Sequence, residues 1–95
     1  WNAAMCAAPT ALATYGLLDH CDYTCFPGFE KKIAQLATDA HFKEDITVVD
    51  EGGKVVTSRG PATAMAFAFR IAEVLGLDTK QIKHEMLYDY LMEQK

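Results

Sequence analysis

The sequence carries three cysteines, Cys6, Cys21 and Cys25, and three histidines, His20, His41 and His84, as its nucleophilic or proton-shuttling side chains. Cys6 stands apart by its surroundings. It lies in the run Ala3-Ala4-Met5-Cys6-Ala7-Ala8-Pro9, where small apolar residues lead into a proline suited to the first turn of a helix. This pattern reads as a strand that turns at once into a helix and leaves Cys6 at the helix N-terminus. Unpaired backbone N–H groups and the positive end of the helix dipole favour an anion there, and for a cysteine that anion is the nucleophilic thiolate. Small neighbours are what a sharp nucleophile elbow tolerates, and the backbone N–H of Ala7 becomes a donor for an oxyanion. A buried, inert cysteine is the commoner fate of a lone Cys, and spacing alone leaves both readings open.

The remaining reactive side chains carry weaker signals. Cys21-x3-Cys25 with His20 and His41 is a loose zinc-ligand spacing, but on a strand residues 21 and 25 sit too far apart for one tetrahedral ion, so no metal is expected. Cys25 reads as a half-buried strand residue, able to resolve an oxidised Cys6 only if the fold brings the two together. His41 and His84 read as solvated. Arg59, just before Gly60-Pro61, is either a salt-bridged loop residue or part of a pocket rim.

The elements that must position these groups follow from periodicity and breakers. Residues 1–5 read as the end of a buried strand, and a helix follows to Leu18 with Leu12, Tyr15 and Leu18 on its inner face. A strand over 21–26 ends at the Pro27-Gly28 turn, and a short helix over 29–36 turns Ile33 and Leu36 inward. Two β-branched runs, 45–50 and 54–58, make a hairpin around Gly52-Gly53. Gly60-Pro61 opens a helix over about 62–75, with Met65, Phe69 and Val74 near one stripe and Gly76 as its stop. Asp78 and Gln81 suggest a capping box for a last helix with Ile82, Met86, Tyr90 and Leu91 inward. The layout is α/β and incomplete: a first strand buried on both faces needs neighbours, so about half of a doubly wound sheet is expected to lie outside this chain.

Bulk properties narrow the function classes. At 95 residues, 51% hydrophobic and 23% charged, the chain fits one globular domain and is too apolar for disorder. Nine basic residues, from Lys31 to Lys95, are scattered against thirteen acidic ones for a formal charge of −4. That excludes a nucleic-acid phosphate track, which needs clustered Lys and Arg. No apolar run approaches the ~20 residues of a membrane span. Three cysteines make no disulfide framework, so a reducing, cytoplasmic compartment is expected.

Three linked segments then carry a family likeness: Ala3-Ala4-Met5-Cys6-Ala7-Ala8-Pro9-Thr10-Ala11-Leu12, Cys25-Phe26-Pro27-Gly28-Phe29-Glu30 and Val56-Thr57-Ser58-Arg59-Gly60-Pro61-Ala62-Thr63-Ala64. In this order and spacing they resemble the C-terminal half of the ThiJ/PfpI superfamily, in its DJ-1 branch. The resemblance covers Trp1 to about Leu77. It implies that residues 1–95 are the C-terminal half of a flavodoxin-like α/β/α sandwich, with a β-hairpin and helices on both faces of the sheet. The N-terminal half, as a separate chain or segment, is then the partner that completes the fold.

The resemblance further implies that Cys6 is the reactive cysteine, a nucleophile on reactive carbonyls and a site of oxidation to sulfinate. It places Phe26, Pro27, Arg59, Gly60 and Pro61 on the pocket rim, and the segment 57–61 near the partner's pocket in a homodimer. Relatives pair the cysteine with a protonated glutamate from their N-terminal half, which this chain does not contain. Several relatives also carry a histidine where this chain has Phe26, and a phenylalanine cannot shuttle a proton. The function implied is a cofactor-free, cysteine-dependent glyoxalase or deglycase acting on small reactive carbonyls such as methylglyoxal. The alternative is an oxidative-stress redox sensor or chaperone-like protein in which Cys6 is oxidised without turnover.

Overall fold

The structure, a computed structural model, describes residues 1–93; Lys95, the last of the scattered basic residues, lies outside them. Strand β1 (Asn2–Met5) leads through the Cys6 turn to helix α1 (Pro9–Thr14), then to β2 (Asp22–Tyr23), helix α2 (Glu30–Leu36) and β3 (His41–Phe42). The hairpin β4 (Thr47–Asp50) and β5 (Val55–Ser58) follows. A 3-10 turn (Pro61–Thr63) then opens helix α3 (Ala64–Val74), and α4 (Lys80–Glu85) and α5 (Tyr88–Glu93) end the described chain.

The main sheet has the order β1-β5-β4, with β1 parallel and β4 antiparallel to β5. Central β5 is buried at all four positions because it is covered on both faces. Val55 joins the core of Ala13, Leu18, Tyr23, Cys25, Ile33 and Ala37 beneath α1 and α2. Alternation sends Ser58 to the other face, where it meets Thr63 at the start of α3. Strand β2 pairs in parallel with β3 through backbone bonds, while side chains serve its other edge. The Thr57 hydroxyl accepts from the Thr24 N–H at 2.8 Å, and the Asp50 carboxylate accepts from the Asp22 N–H at 2.9 Å. Mixed strands with helices make this an α/β fold of flavodoxin-like type. No helix among the described residues is long and apolar enough to cross a membrane.

Several elements differ from the expectation. Asn2 and Ala3 are exposed, because β1 pairs with β5 alone and forms an edge of the described sheet. The first helix stops at Thr14 rather than Leu18, ahead of Gly16 at φ 77°, and this turns Tyr15 outward while Leu18 stays buried. The expected strand over 21–26 shortens to two residues, because past Tyr23 the partner strand β3 ends at Phe42. Leu36 is exposed, and only Ile33 of α2 is buried. In α3 Phe69 is buried but Met65 is exposed.

The last helix is two helices, broken at Leu87, whose φ of 61° no helix continues. Ile82, Met86, Tyr90 and Leu91 are exposed rather than inward. Nor does the capping box form. Thr79 holds the N-cap position, its hydroxyl donates to Glu73, Asp78 accepts from the Lys80 N–H, and Gln81 donates to Glu85.

Candidate active site

Cys6 sits between the end of β1 and the start of α1 with φ 65°, in the left-handed region that an L side chain rarely enters outside Asn and Asp. Two backbone bonds hold it there. Its N–H donates to the Ser58 carbonyl at 3.1 Å, continuing the β1–β5 ladder by one step, and its own carbonyl accepts from the Phe26 N–H at 2.9 Å. The next amides are almost all used: Ala8 donates to Met5, Thr10 to Ala7 and Ala11 to Ala8, and Pro9 has none to give. The Ala7 N–H alone in this turn has no acceptor among the described residues. It is adjacent in sequence to the half-buried Cys6, and Ala7 itself is exposed.

Helix α1 is only six residues long and its N-cap is Ala8, two positions after Cys6. A helix dipole acts mainly within its own first turn. The turn itself, rather than the helix terminus expected from sequence, therefore defines the setting of the sulfur.

The rim residues converge. Phe26, Pro27, Arg59, Gly60 and Pro61, with Ala62 and Thr63, line one open cavity of about 230 Å3. Cys6 is not a lining residue, but its backbone is bonded to Phe26 and to Ser58, the neighbour of Arg59. Gly60 lets the Phe26 ring approach: a Cβ there would lie 3.4 Å from the ring edge. Arg59 makes no ion pair among the described residues. Its Nε donates to the Cys25 carbonyl at 3.0 Å and its guanidinium carbon stands 5.5 Å from the centre of the Phe42 ring.

Sequence reasoning missed Thr63. Its hydroxyl lies 2.6 Å from the Ser58 hydroxyl, accepts from the Gly60 N–H at 3.1 Å and stands 2.8 Å from the Gly60 carbonyl. The Ser58 hydroxyl in turn lies 2.6 Å from the Ile46 carbonyl. This small network fixes the 58–63 segment from which both the Cys6 backbone and the cavity wall are built. A threonine three residues after Gly60 was the available signal, since it can close back on the turn.

The other cysteines are closed off. Cys25, expected half-buried in a strand, is fully buried outside one; burial, and then the Glu30 charge, push its thiol up to about 11. Burial also raises Cys21, with Asp50, Asp19 and Asp22 adding to it. His41 is exposed but not simply solvated, since its two ring nitrogens lie 3.0 Å from Asp22 and 3.2 Å from Asp39.

The DJ-1/PfpI family pattern matches residues 1–74. The chain belongs to the DJ-1/PfpI family. It is 44% identical over 75 residues to Protein DJ-1 homolog B of Arabidopsis thaliana, covering 78% of this chain and 16% of that one. The crystal structure of Drosophila melanogaster DJ-1beta superposes with a TM-score of 0.75 at 34% identity, covering 90% of this chain and 45% of that chain. Similarity extends, at 34% identity over 77 residues, to the glutathione-independent glyoxalase DJR-1.2 of Caenorhabditis elegans, covering 76% of this chain and 36% of the relative. The chain thus spans less than half the length of these family members.

Proposed function

We propose that this chain supplies the nucleophile of a cysteine-dependent glyoxalase or deglycase acting on small reactive carbonyls, with no cofactor. The observation that carries the reading is the left-handed backbone at Cys6, clamped by Ser58 and Phe26 beside a free Ala7 amide. A strained residue held by its surroundings is a mark of functional sites. Family membership supports the same chemistry, and one relative is named as a glyoxalase.

In the proposed reaction the Cys6 thiolate adds to the aldehyde carbon of methylglyoxal. A C–S bond forms, and the carbonyl electron pair moves to oxygen, where the Ala7 N–H can meet it. Hydrogen transfer from the aldehyde carbon to the neighbouring ketone carbon oxidises the first and reduces the second, leaving a thioester. Water then cleaves the thioester, releasing a hydroxy acid and the free thiol. Phe26 offers no proton, so the acid–base group comes from the N-terminal half of the family fold.

In the intact protein Cys6→Ser is expected to lower kcat/KM for methylglyoxal by on the order of a thousandfold or more. Retained activity overturns the reading. A second reading, redox sensing without turnover, is favoured by the contrast between half-buried Cys6 and the two buried cysteines. It predicts selective oxidation of Cys6 by peroxide in a protein with no Cys6-dependent turnover.

A further inference from the structure

Thr63 ends a 3-10 turn, and a hydroxyl that only capped that turn would need no partner beyond the Gly60 N–H. This one reaches further, and the count of hydrogens gives the direction of each bond. The Ile46 carbonyl can only accept, so the Ser58 hydroxyl places its one hydrogen there, at 2.6 Å. The hydrogen between the Ser58 and Thr63 hydroxyls, 2.6 Å apart, is then the one on Thr63. The Gly60 carbonyl is already served by the Thr63 N–H at 2.9 Å. The result is one directed chain, in which Gly60 donates to Thr63, Thr63 to Ser58 and Ser58 to Ile46. Ser58 is fully buried and ends β5, while Ile46 directly precedes β4. The chain therefore pins the last residue of the central strand both from the start of α3 and from the hairpin. The Thr63 hydroxyl also stands 3.9 Å from the Sδ of Met5, the residue before Cys6. It thus touches both strands of the β1–β5 pair at the end where Cys6 leaves it.

We infer that Thr63 is a positioning residue for Cys6: its hydroxyl fixes the end of β5, and the Ser58 carbonyl there holds the Cys6 N–H. That bond, at 3.1 Å, is one of the two backbone bonds that keep Cys6 at φ 65°. Without the Thr63 hydroxyl, the N–H of buried Gly60 loses its acceptor and the Ser58 hydroxyl loses its donor. The Gly60 amide then has to find water or another acceptor, which moves the segment that carries the Ser58 carbonyl. A strained residue keeps its conformation only while its surroundings over-determine it, so Cys6 relaxes toward the ordinary backbone region. The inference rests on the reading of Cys6 as a carbonyl nucleophile and names a residue that acts on it through Ser58.

The test compares Thr63→Val, which keeps the shape and loses the hydroxyl, with Thr63→Ser, which keeps the hydroxyl, both in the intact protein. Native-state amide exchange at Cys6 is expected to quicken by on the order of tenfold in Thr63→Val and to return to its original rate in Thr63→Ser. The Asn2 amide, bonded to the Lys54 carbonyl at 2.8 Å at the far end of the same strand pair, should keep its rate. A general loss of stability would quicken both amides together, so a uniform change overturns the inference, as does an unmoved Cys6 amide. Ser58→Ala cuts the same chain at its next link and should quicken the Cys6 amide as well; it decides the matter if Thr63→Val does not fold. In methylglyoxal turnover, Thr63→Val should lower kcat by about tenfold with KM held within about twofold, and Thr63→Ser should restore it. A raised KM at unchanged kcat would place Thr63 in substrate binding and overturn its positioning role. Turnover that survives Cys6→Ser sinks the carbonyl reading and leaves the exchange result standing. Exchange at Cys6 that is indifferent to Thr63 sinks this inference alone.

Discussion

Holding a cysteine at φ 65° costs about 1–3 kcal/mol, and glycine would sit there without that cost. Cys6→Gly is therefore expected to leave stability unchanged or raise it by up to about 1 kcal/mol, despite the lost side chain. Cys6→Val should lower it by about 1–2 kcal/mol, since a β-branched residue tolerates the left-handed region worst. Urea midpoints read both, and a clearly less stable glycine variant would show that the side chain serves packing rather than chemistry. Reactivity should divide the three cysteines in the same way. Cys25, pushed up to about 11, and Cys21, raised by burial, stay protonated near neutrality, so mild peroxide should oxidise Cys6 first by peptide mapping. The strand-to-helix turn at Cys6 was legible because small residues, a cysteine and a proline stand consecutively. The Arg59 hold on the Cys25 carbonyl was not, since those residues are far apart in sequence and meet only through the sheet.

At the scale of elements, the join between β2 and the main sheet depends on side chains where backbone ladders would normally serve. Thr57→Val keeps the shape but leaves the buried Thr24 N–H without its acceptor, for an expected loss of about 1–3 kcal/mol in chemical denaturation. An unchanged midpoint would mean water replaces the hydroxyl. The β2–β3 pair also carries a pH dependence. His41 is raised above its ordinary 6.5 by its hydrogen bonds to the carboxylates of Asp22 and then Asp39, so its stabilising effect is complete below that ordinary value. It is lost as pH rises through the higher folded-state value. Asp39, lowered chiefly by His20 and then His41, acts oppositely, its contribution present above its ordinary 3.8 and lost as pH falls through the folded-state value. Amide exchange at Lys43, whose N–H closes the β2–β3 ladder on Tyr23, should quicken beyond its intrinsic rise as pH climbs through the raised His41 value, and His41→Gln should remove that excess. The hairpin was readable from its β-branched runs. Strand β3 was not, because two residues offer no alternation to read, and neither Gly nor Pro marks the break at Leu87.

At the scale of the molecule, the described residues bring Cys6, the Ala7 amide and the cavity wall together at one end of the β1–β5 pair. The α/β class and the family were within reach of the sequence, because three motifs keep their order around Cys6, Pro27 and Arg59. The outward apolar residues of α4 and α5 defeated that reading, since periodicity marks an apolar stripe without saying what covers it. As the chain spans less than half the length of the relatives compared, catalysis is a property to measure on the intact protein. The most direct measurement is the rate of iodoacetamide alkylation at each cysteine, mapped by mass spectrometry with and without methylglyoxal. The account predicts that Cys6 is labelled fastest and that methylglyoxal slows its labelling. Faster labelling of Cys21 or Cys25, or a Cys6 rate that methylglyoxal leaves unchanged, would contradict it.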